Sequence, residues 1–199
     1  TRPSRSPAVR VDALDVYHVS MPLVRPFRTA FGDNDAIESV LVRLTSGDAV
    51  GWGEAAPWAV PAYSPECAAG VFLVVTRFLA PRVIGAEVPS GQDLQKRLAP
   101  VKGNPFAKAA LDLAWWDLHA GLRGEPLWRV LGGERPEVAV GADFGVLEAP
   151  EALVEAVRGA VAQGYPRVKL KVRPGREADV VAAVRRAEPE ATIHVDCNS

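Results

Sequence analysis

Apolar and polar residues alternate along the first quarter of the chain, which is typical of strands that bury one face. The alternation runs through residues 11–19 and returns in residues 39–44, and residues 46–48 then form a turn signal of Ser, Gly and Asp. Residues 50–54 continue as a third strand, so we predict an antiparallel meander. The connection between the first two strands, residues 24–35, contains Pro, Gly, Asp and Asn and is predicted to be a mobile loop.

The spacing of apolar residues changes to a helical period after a second predicted loop, residues 55–64. Residues 65–78 and 107–121 each show a helical pattern, and the second of them carries a continuous apolar stripe. A short helix is predicted over residues 126–131, because a proline stands at its start and two glycines follow it. Residues 1–135 are therefore expected to form an α+β domain.

From residue 136 onward, predicted strands and helices alternate. Their order is strand 138–141, helix 150–163, strand 167–172, helix 177–187 and strand 192–196. This alternation is typical of right-handed βαβ crossovers, which build a parallel sheet. Residues 136–199 are thus expected to begin a second domain, either a doubly wound sheet or the first βαβαβ part of a (β/α)₈ barrel.

Composition and charge narrow the class of function. The chain has 199 residues with 48% hydrophobic content, and its 23 basic residues nearly balance its 24 acidic ones. No basic field is available to attract nucleic acid or an anionic membrane, so a small-molecule partner is expected. Cys67 and Cys197 lack the spacing of a disulfide framework or a zinc site, and no signal peptide or spanning segment is predicted. We therefore expect a cytoplasmic protein.

Two lysines stand close together on the predicted strand 167–172. Lys169 and Lys171 point to one face of the strand, and the apolar residues around them point to the other. Both faces of a helix-covered parallel sheet are normally apolar, so lysines near the carboxyl end of such a strand need an explanation. Mutual repulsion and partial burial lower the pKa of a lysine toward that of a general base. An amphipathic edge strand with a solvated basic face is an equally open interpretation of this pattern.

The next predicted strand, 192–196, ends in a carboxylate. Asp196 lies at the strand end with Asn198 two residues further on, and such strand ends are where parallel sheets bind ligands. A carboxylate in this place suits a hard divalent cation such as Mg²⁺. The alternative is an isolated Asp that caps the following loop. His194 shares the face of Asp196 but receives no catalytic role.

Five segments, in order along the chain, carry a resemblance to a known family. They are residues 51–54, 108–118, 126–133, 164–171 and 195–199. Together they resemble the enolase superfamily, and in particular its muconate-lactonizing subgroup, over nearly the whole chain. The Lys-x-Lys strand and the Gly-Tyr pair before it are most similar to the branch of o-succinylbenzoate synthase and N-acylamino acid racemase. The Cys between Asp and Asn in the last segment departs from the family pattern, in which Ala is usual.

The resemblance implies a fold, a cofactor and roles for four residues. It implies an α+β capping domain followed by a (β/α)₈ barrel of the TIM type, with Mg²⁺ as the cofactor. Lys171 would be the acid/base that removes a proton α to a carboxylate, while Lys169 would tune its proton affinity and help to stabilise the resulting enediolate. Asp196 would be the first of three carboxylate metal ligands, with Asn198 as a nearby support.

The resemblance also implies a class of reaction and of partner. The full-length enzyme, expected to be a homo-oligomer, would be a lyase of menaquinone biosynthesis (o-succinylbenzoate synthase), a racemase of N-acylamino acids, or both. Its substrate would be a small carboxylate, selected by the loops at residues 24–35 and 55–64. Cycloisomerase and dipeptide epimerase activities stay open, because substrate choice rests partly on later loops.

The chain is expected to be truncated, because residues 136–199 can form only the first part of a barrel. The resemblance implies two further metal ligands and an opposing lysine on later barrel strands. We therefore expect the 199 residues by themselves to be inactive. A non-catalytic capping-domain module is the alternative interpretation.

Overall fold

The structure, a computed structural model, describes residues 8–29, 32–147 and 149–197. The strands are β1 (Val9–Arg10), β2 (Ala13–Thr29), β3 (Gly32–Ser46), β4 (Ala49–Ala55), β5 (Glu87–Val88), β6 (Ala142–Phe144), β7 (Arg167–Lys171) and β8 (Thr192–Asp196). The α-helices are α1 (Ala68–Val74), α2 (Gly91–Leu98), α3 (Pro105–Arg123), α4 (Leu127–Val130), α5 (Pro150–Ala162) and α6 (Glu177–Ala187). None of the helices in these described ranges is long and apolar enough to cross a membrane.

The chain divides into two compact units. The first comprises Thr1–Pro22 and Ala36–Glu134, and the second comprises Leu23–Asp35 and Arg135–Ser199. Buried apolar side chains form one core cluster among β1, β3 to β5 and α1 to α3, and another among β7, α5 and α6.

The first unit contains β4 and most of β2 and β3, which form a three-stranded sheet in the order β2–β3–β4. β1 and β5 form a separate antiparallel pair. β3 and β4 are antiparallel, and the face of β3 that carries Val40, Val42 and Leu44 is buried. α1, α2 and α3 contribute the other side of this core. The predicted strands at 39–44 and 50–54 and their antiparallel arrangement are thereby confirmed.

β4 and α3 pack backbone against backbone. A Cβ atom at Gly53 would stand 2.0 Å from the carbonyl oxygen of Ala110 and 2.5 Å from the amide nitrogen of Ala114. A Cβ atom at Gly51 would stand 2.3 Å from the amide nitrogen of Leu118. No side chain fits at these two positions, so a Gly-x-Gly sequence is what allows the strand to lie directly on the helix.

The start of α3 is held by an acidic side chain that precedes α1. Pro105 occupies the first helical turn, where its missing N–H is not needed. The carboxylate of Glu66 accepts hydrogen bonds from the backbone N–H groups of Phe106 (2.9 Å) and Ala107 (3.2 Å). A negative charge at this end also interacts favourably with the helix dipole. The contact therefore stabilises the helix on which β4 packs.

The second unit contains a parallel sheet in the order β6–β7–β8. One face of this sheet packs against α5 and α6, through a core that includes Leu153, Val157, Val168, Leu170, Val172 and Val184. α6 and β8 have the predicted bounds, and β7 and α5 are each one residue shorter than predicted. The predicted alternation of strands and helices around a parallel sheet is confirmed.

The first strand of the parallel sheet lies later in the chain than predicted. We expected it at residues 138–141, but it spans Ala142–Phe144. Its first residue pairs with Val168 of β7, so the neighbouring strand selects which residues join the sheet. An alternating apolar pattern forms a strand only where a partner strand supplies hydrogen bonds. Val138 lies before the paired residues, and its side chain is 78% exposed.

The prediction of a mobile loop over residues 24–35 is wrong for most of that range. β2 extends to Thr29 and β3 begins at Gly32, so the two strands are longer than their sequence pattern indicated. Residues 30–31 lie outside the described residues. Pro26 does not interrupt β2 because β2 is an edge strand of its sheet, where a missing N–H group is tolerated.

Replacing Gly53 with Ala is expected to destabilise the protein, because the new methyl group would overlap the backbone of α3. Overpacking of this kind lowers the free energy of unfolding by about 1–3 kcal/mol. Gly121→Ala is the matched control, since a Cβ atom there meets nothing within 4 Å and Ala is favoured over Gly in helices by about 1 kcal/mol. Urea denaturation measures both variants. Equal stability of the two would contradict the backbone packing described here.

Candidate active site

Polar side chains from three neighbouring strands share one face of the parallel sheet. Lys171 on β7 is the register partner of Asp196 on β8. Lys169 is the partner of Asp143 on β6 and of His194 on β8. Register partners on neighbouring parallel strands point to the same face. The five residues therefore form two adjacent rows, near the carboxyl ends of the strands.

Burial of the alternate residues shows that this face is opposite to the helices. Val168, Leu170 and Val172 are buried in the core with α5 and α6, so Lys169 and Lys171 project from the other side of β7. β7 is the central strand of its sheet, and the side chain of Lys171 is only 9% exposed. The sequence left open the alternative that this strand is an edge strand with a solvated basic face. The structure excludes it, because β7 is central and the side chain of Lys171 is shielded.

One carboxylate oxygen joins the two lysines. Oδ2 of Asp196 lies 2.7 Å from Nζ of Lys169 and 2.9 Å from Nζ of Lys171. The side chain of Asp196 is 21% exposed and that of Lys169 is 33% exposed. Ion pairs with this geometry and shielding are less screened by water than pairs on an open surface. The structure thus brings together three of the four predicted site residues. Asn198, the fourth, lies outside the described residues.

Asp143 is a further charged residue of this face, and it was not predicted from the sequence. Its Oδ2 lies 3.9 Å from Nζ of Lys169, and its side chain is 50% exposed. It was missed because the strand was predicted over residues 138–141. The signal was an acidic residue between Ala142 and Phe144, which is the alternation expected of a strand with one buried face.

The donor chemistry of Asp196 fits a magnesium ligand. A carboxylate provides hard oxygen atoms, which Mg²⁺ prefers, and Asp196 presents them at the end of a parallel strand. Among the described residues, no group of three or more His, Cys, Asp and Glu side chains could hold a metal ion. Asp196 can fill only part of the octahedral oxygen shell of Mg²⁺. Asp196 therefore fits the role of one Mg²⁺ ligand, and a complete site would need further ligands.

A family model and two curated relatives place this chain in the same family. The N-terminal domain of the mandelate racemase / muconate lactonizing enzyme family matches residues 13–132. An N-succinylamino acid racemase from Thermus thermophilus is 39% identical over 191 residues, which make up 96% of this chain and 52% of that protein. An o-succinylbenzoate synthase from Geobacillus kaustophilus is 37% identical over 193 residues, again 96% of this chain and 52% of that protein. The chain spans about half the length of these curated relatives.

Solved structures share the fold. A member of the enolase superfamily from Listeria innocua superposes with a TM-score of 0.87 at 29% identity, over 96% of this chain and 52% of that one. A dipeptide epimerase from Enterococcus faecalis, solved with Mg and the dipeptide L-Leu-L-Tyr, gives a TM-score of 0.86 at 26% identity, over 96% and 54%. The predicted enolase-type capping domain, followed by the first strands of a barrel, is confirmed. The chain belongs to the mandelate racemase / muconate lactonizing enzyme family of the enolase superfamily.

Proposed function

We propose that the complete protein is an enzyme that removes a proton α to a carboxylate group of a small-molecule substrate. The observation that carries this proposal is the carboxylate of Asp196 between the amines of Lys169 and Lys171, at the ends of two parallel strands. Removal of such a proton requires a base, positive charge near the developing anion, and protection from water. Two lysines on one shielded strand face can meet these requirements together.

Lys171 is the residue that we assign as the acid/base. Its side chain is the more shielded of the two, at 9% exposed against 33% for Lys169. As a neutral amine it would accept the substrate proton, and as an ammonium group it would donate one. Lys169, two residues earlier on the same strand face, would place positive charge beside the developing anion. Both lysines can act at one site because side chains alternate along β7, so that Lys169 and Lys171 lie on the same face.

Asp196 is assigned as one carboxylate ligand of Mg²⁺, with Asn198 as a nearby support. The donor type of Asp196 and its position at a strand end support this assignment, as does the Mg in the similar dipeptide epimerase structure. When bound, Mg²⁺ would supply positive charge that stabilises the oxygen atoms of the deprotonated substrate. The contacts of Asp196 with both lysines keep the base next to this ligand.

Two related activities are the best candidates for the complete protein. The relatives named above are an N-succinylamino acid racemase and an o-succinylbenzoate synthase. A Lys or His base, with Mg²⁺ that stabilises an enediolate, is the chemistry of enolase-superfamily sites. We therefore propose one or both of these activities. We also propose a cytoplasmic location, because Cys67 and Cys197 are both free thiols.

Replacing Lys171 with Ala in the complete protein is expected to lower kcat by about 10²–10⁴-fold, the usual contribution of a general base. KM should change much less, because Lys171 is assigned to the chemical step. Turnover is measured with Mg²⁺ on N-succinylamino acids and on the substrate of o-succinylbenzoate synthase. Lys102→Ala, at an exposed lysine of the first unit, is the matched control and should keep wild-type turnover. Wild-type kcat in Lys171→Ala would refute the assigned base.

Replacing Asp196 with Asn is expected to weaken Mg²⁺ binding, because a neutral amide is a poorer ligand than a carboxylate. The dissociation constant for Mg²⁺, measured by isothermal titration calorimetry, should rise more than about tenfold. Asp179→Asn is the control, since Asp179 is an exposed carboxylate in the first turn of α6. If both variants bind Mg²⁺ as the wild type does, Asp196 is not a metal ligand.

A further inference from the structure

Lys169 lies between two carboxylates on the polar face of the parallel sheet. Its Nζ is 2.7 Å from Oδ2 of Asp196 and 3.9 Å from Oδ2 of Asp143. The first contact has the length of a charge-assisted hydrogen bond, and the second is an ion pair that is longer than a hydrogen bond. The two acidic partners are therefore unequal, and only the closer one, Asp196, is a residue that the sequence predicted for the site.

The register of the sheet places Asp143 beside Lys169. The two residues are pairing partners on β6 and β7, and His194 is the partner of Lys169 on β8. These three residues form one row across the sheet, and Asp143 is the acidic member of that row. An ammonium group at Lys169 can therefore approach Asp143 by side-chain rotation alone, without a change of backbone.

The carboxylate of Asp196 is shared between Lys169 and other partners. Its Oδ2 also lies 2.9 Å from Nζ of Lys171, and under the proposed function its carboxylate is a metal ligand as well. A lysine ammonium group has three N–H donors and can engage a second acceptor. Asp143 supplies such an acceptor on the strand at the other side of β7.

We propose that Asp143 is a positioning residue of the active site, which holds the ammonium group of Lys169 in place while Asp196 is shared with Lys171 and the metal. The inference rests on the proposed function of the two lysines. In this role Asp143 acts through Lys169 and touches neither substrate nor metal. Its side chain is 50% exposed against 21% for Asp196, as suits a residue at the flank of the site.

Two substitutions of Asp143 in the complete protein test this role. Asp143→Asn preserves the shape of the side chain and removes its charge. It should lower kcat by about 10–100-fold, with KM nearly unchanged, for N-succinylamino acids and for the substrate of o-succinylbenzoate synthase. Asp143→Glu should keep most of the activity, because its extra methylene group can carry the carboxylate across the 3.9 Å gap to Lys169. A residue needed only for its shape would give the opposite order, with Asn tolerated better than Glu.

A double-mutant cycle tests whether Asp143 acts through Lys169. Lys169→Met removes the charge and keeps an unbranched side chain. In that background Asp143→Asn should have no further effect on kcat, because the partner of Asp143 is already absent. If the two substitutions instead multiply their effects, Asp143 acts independently of Lys169, for example by touching the substrate, and the proposal is overturned.

The outcomes separate this inference from the proposed function. If Lys171→Ala lowers kcat as expected and Asp143→Asn does not, the positioning role is wrong and the proposed function stands. If neither substitution affects turnover, the proposed function is wrong and the inference falls with it. The dissociation constant for Mg²⁺, measured by calorimetry without substrate, should be the same in Asp143→Asn as in the wild type. A tenfold increase of the kind expected for Asp196→Asn would make Asp143 a metal ligand instead.

Discussion

The candidate site depends on the register between β7 and β8. Because Lys171 and Asp196 are direct partners, one carboxylate oxygen lies 2.7 Å from one lysine amine and 2.9 Å from the other. A slip of one residue would turn the polar face of one strand into the core with α5 and α6. Val168, Leu170 and Val172 oppose that slip, since it would move them out of the core. The hydrophobic side of the sheet therefore determines the geometry of the polar side.

Charge balance explains how a central strand of a parallel sheet can carry two lysines. An ammonium group that is shielded from water is costly unless an opposite charge compensates it. Asp196 compensates both lysines, and Asp143 adds a second carboxylate on the opposite neighbour strand. The result is a compact group of two positive and two negative side chains. These four charged side chains distinguish this face of the sheet from the apolar face that packs against α5 and α6.

The sequence predicted those elements that local pattern alone determines. The bounds of α6 and β8 were predicted correctly, because clear helical and strand periods end at evident breaks. β6 was predicted to start four residues and to end three residues too early, because strand bounds depend on the partner strand, which a local pattern does not contain. Asp143 was missed for the same reason. The contact of Gly51 and Gly53 with α3 could not be predicted either, because a Gly-x-Gly pattern does not indicate which segment of backbone packs against it.

Hydrogen exchange at the α-carbon of a substrate tests most directly whether Lys169, Lys171 and Asp196 form a proton-abstraction site. The complete protein is incubated with Mg²⁺ and an N-succinylamino acid in D₂O, and NMR follows the α-proton signal. We expect deuterium to replace this proton at least as fast as the enzyme turns over. Turnover with retention of the original α-proton would contradict proton abstraction at this site. So would a complete protein that neither exchanges the α-proton of an N-succinylamino acid nor converts the substrate of o-succinylbenzoate synthase.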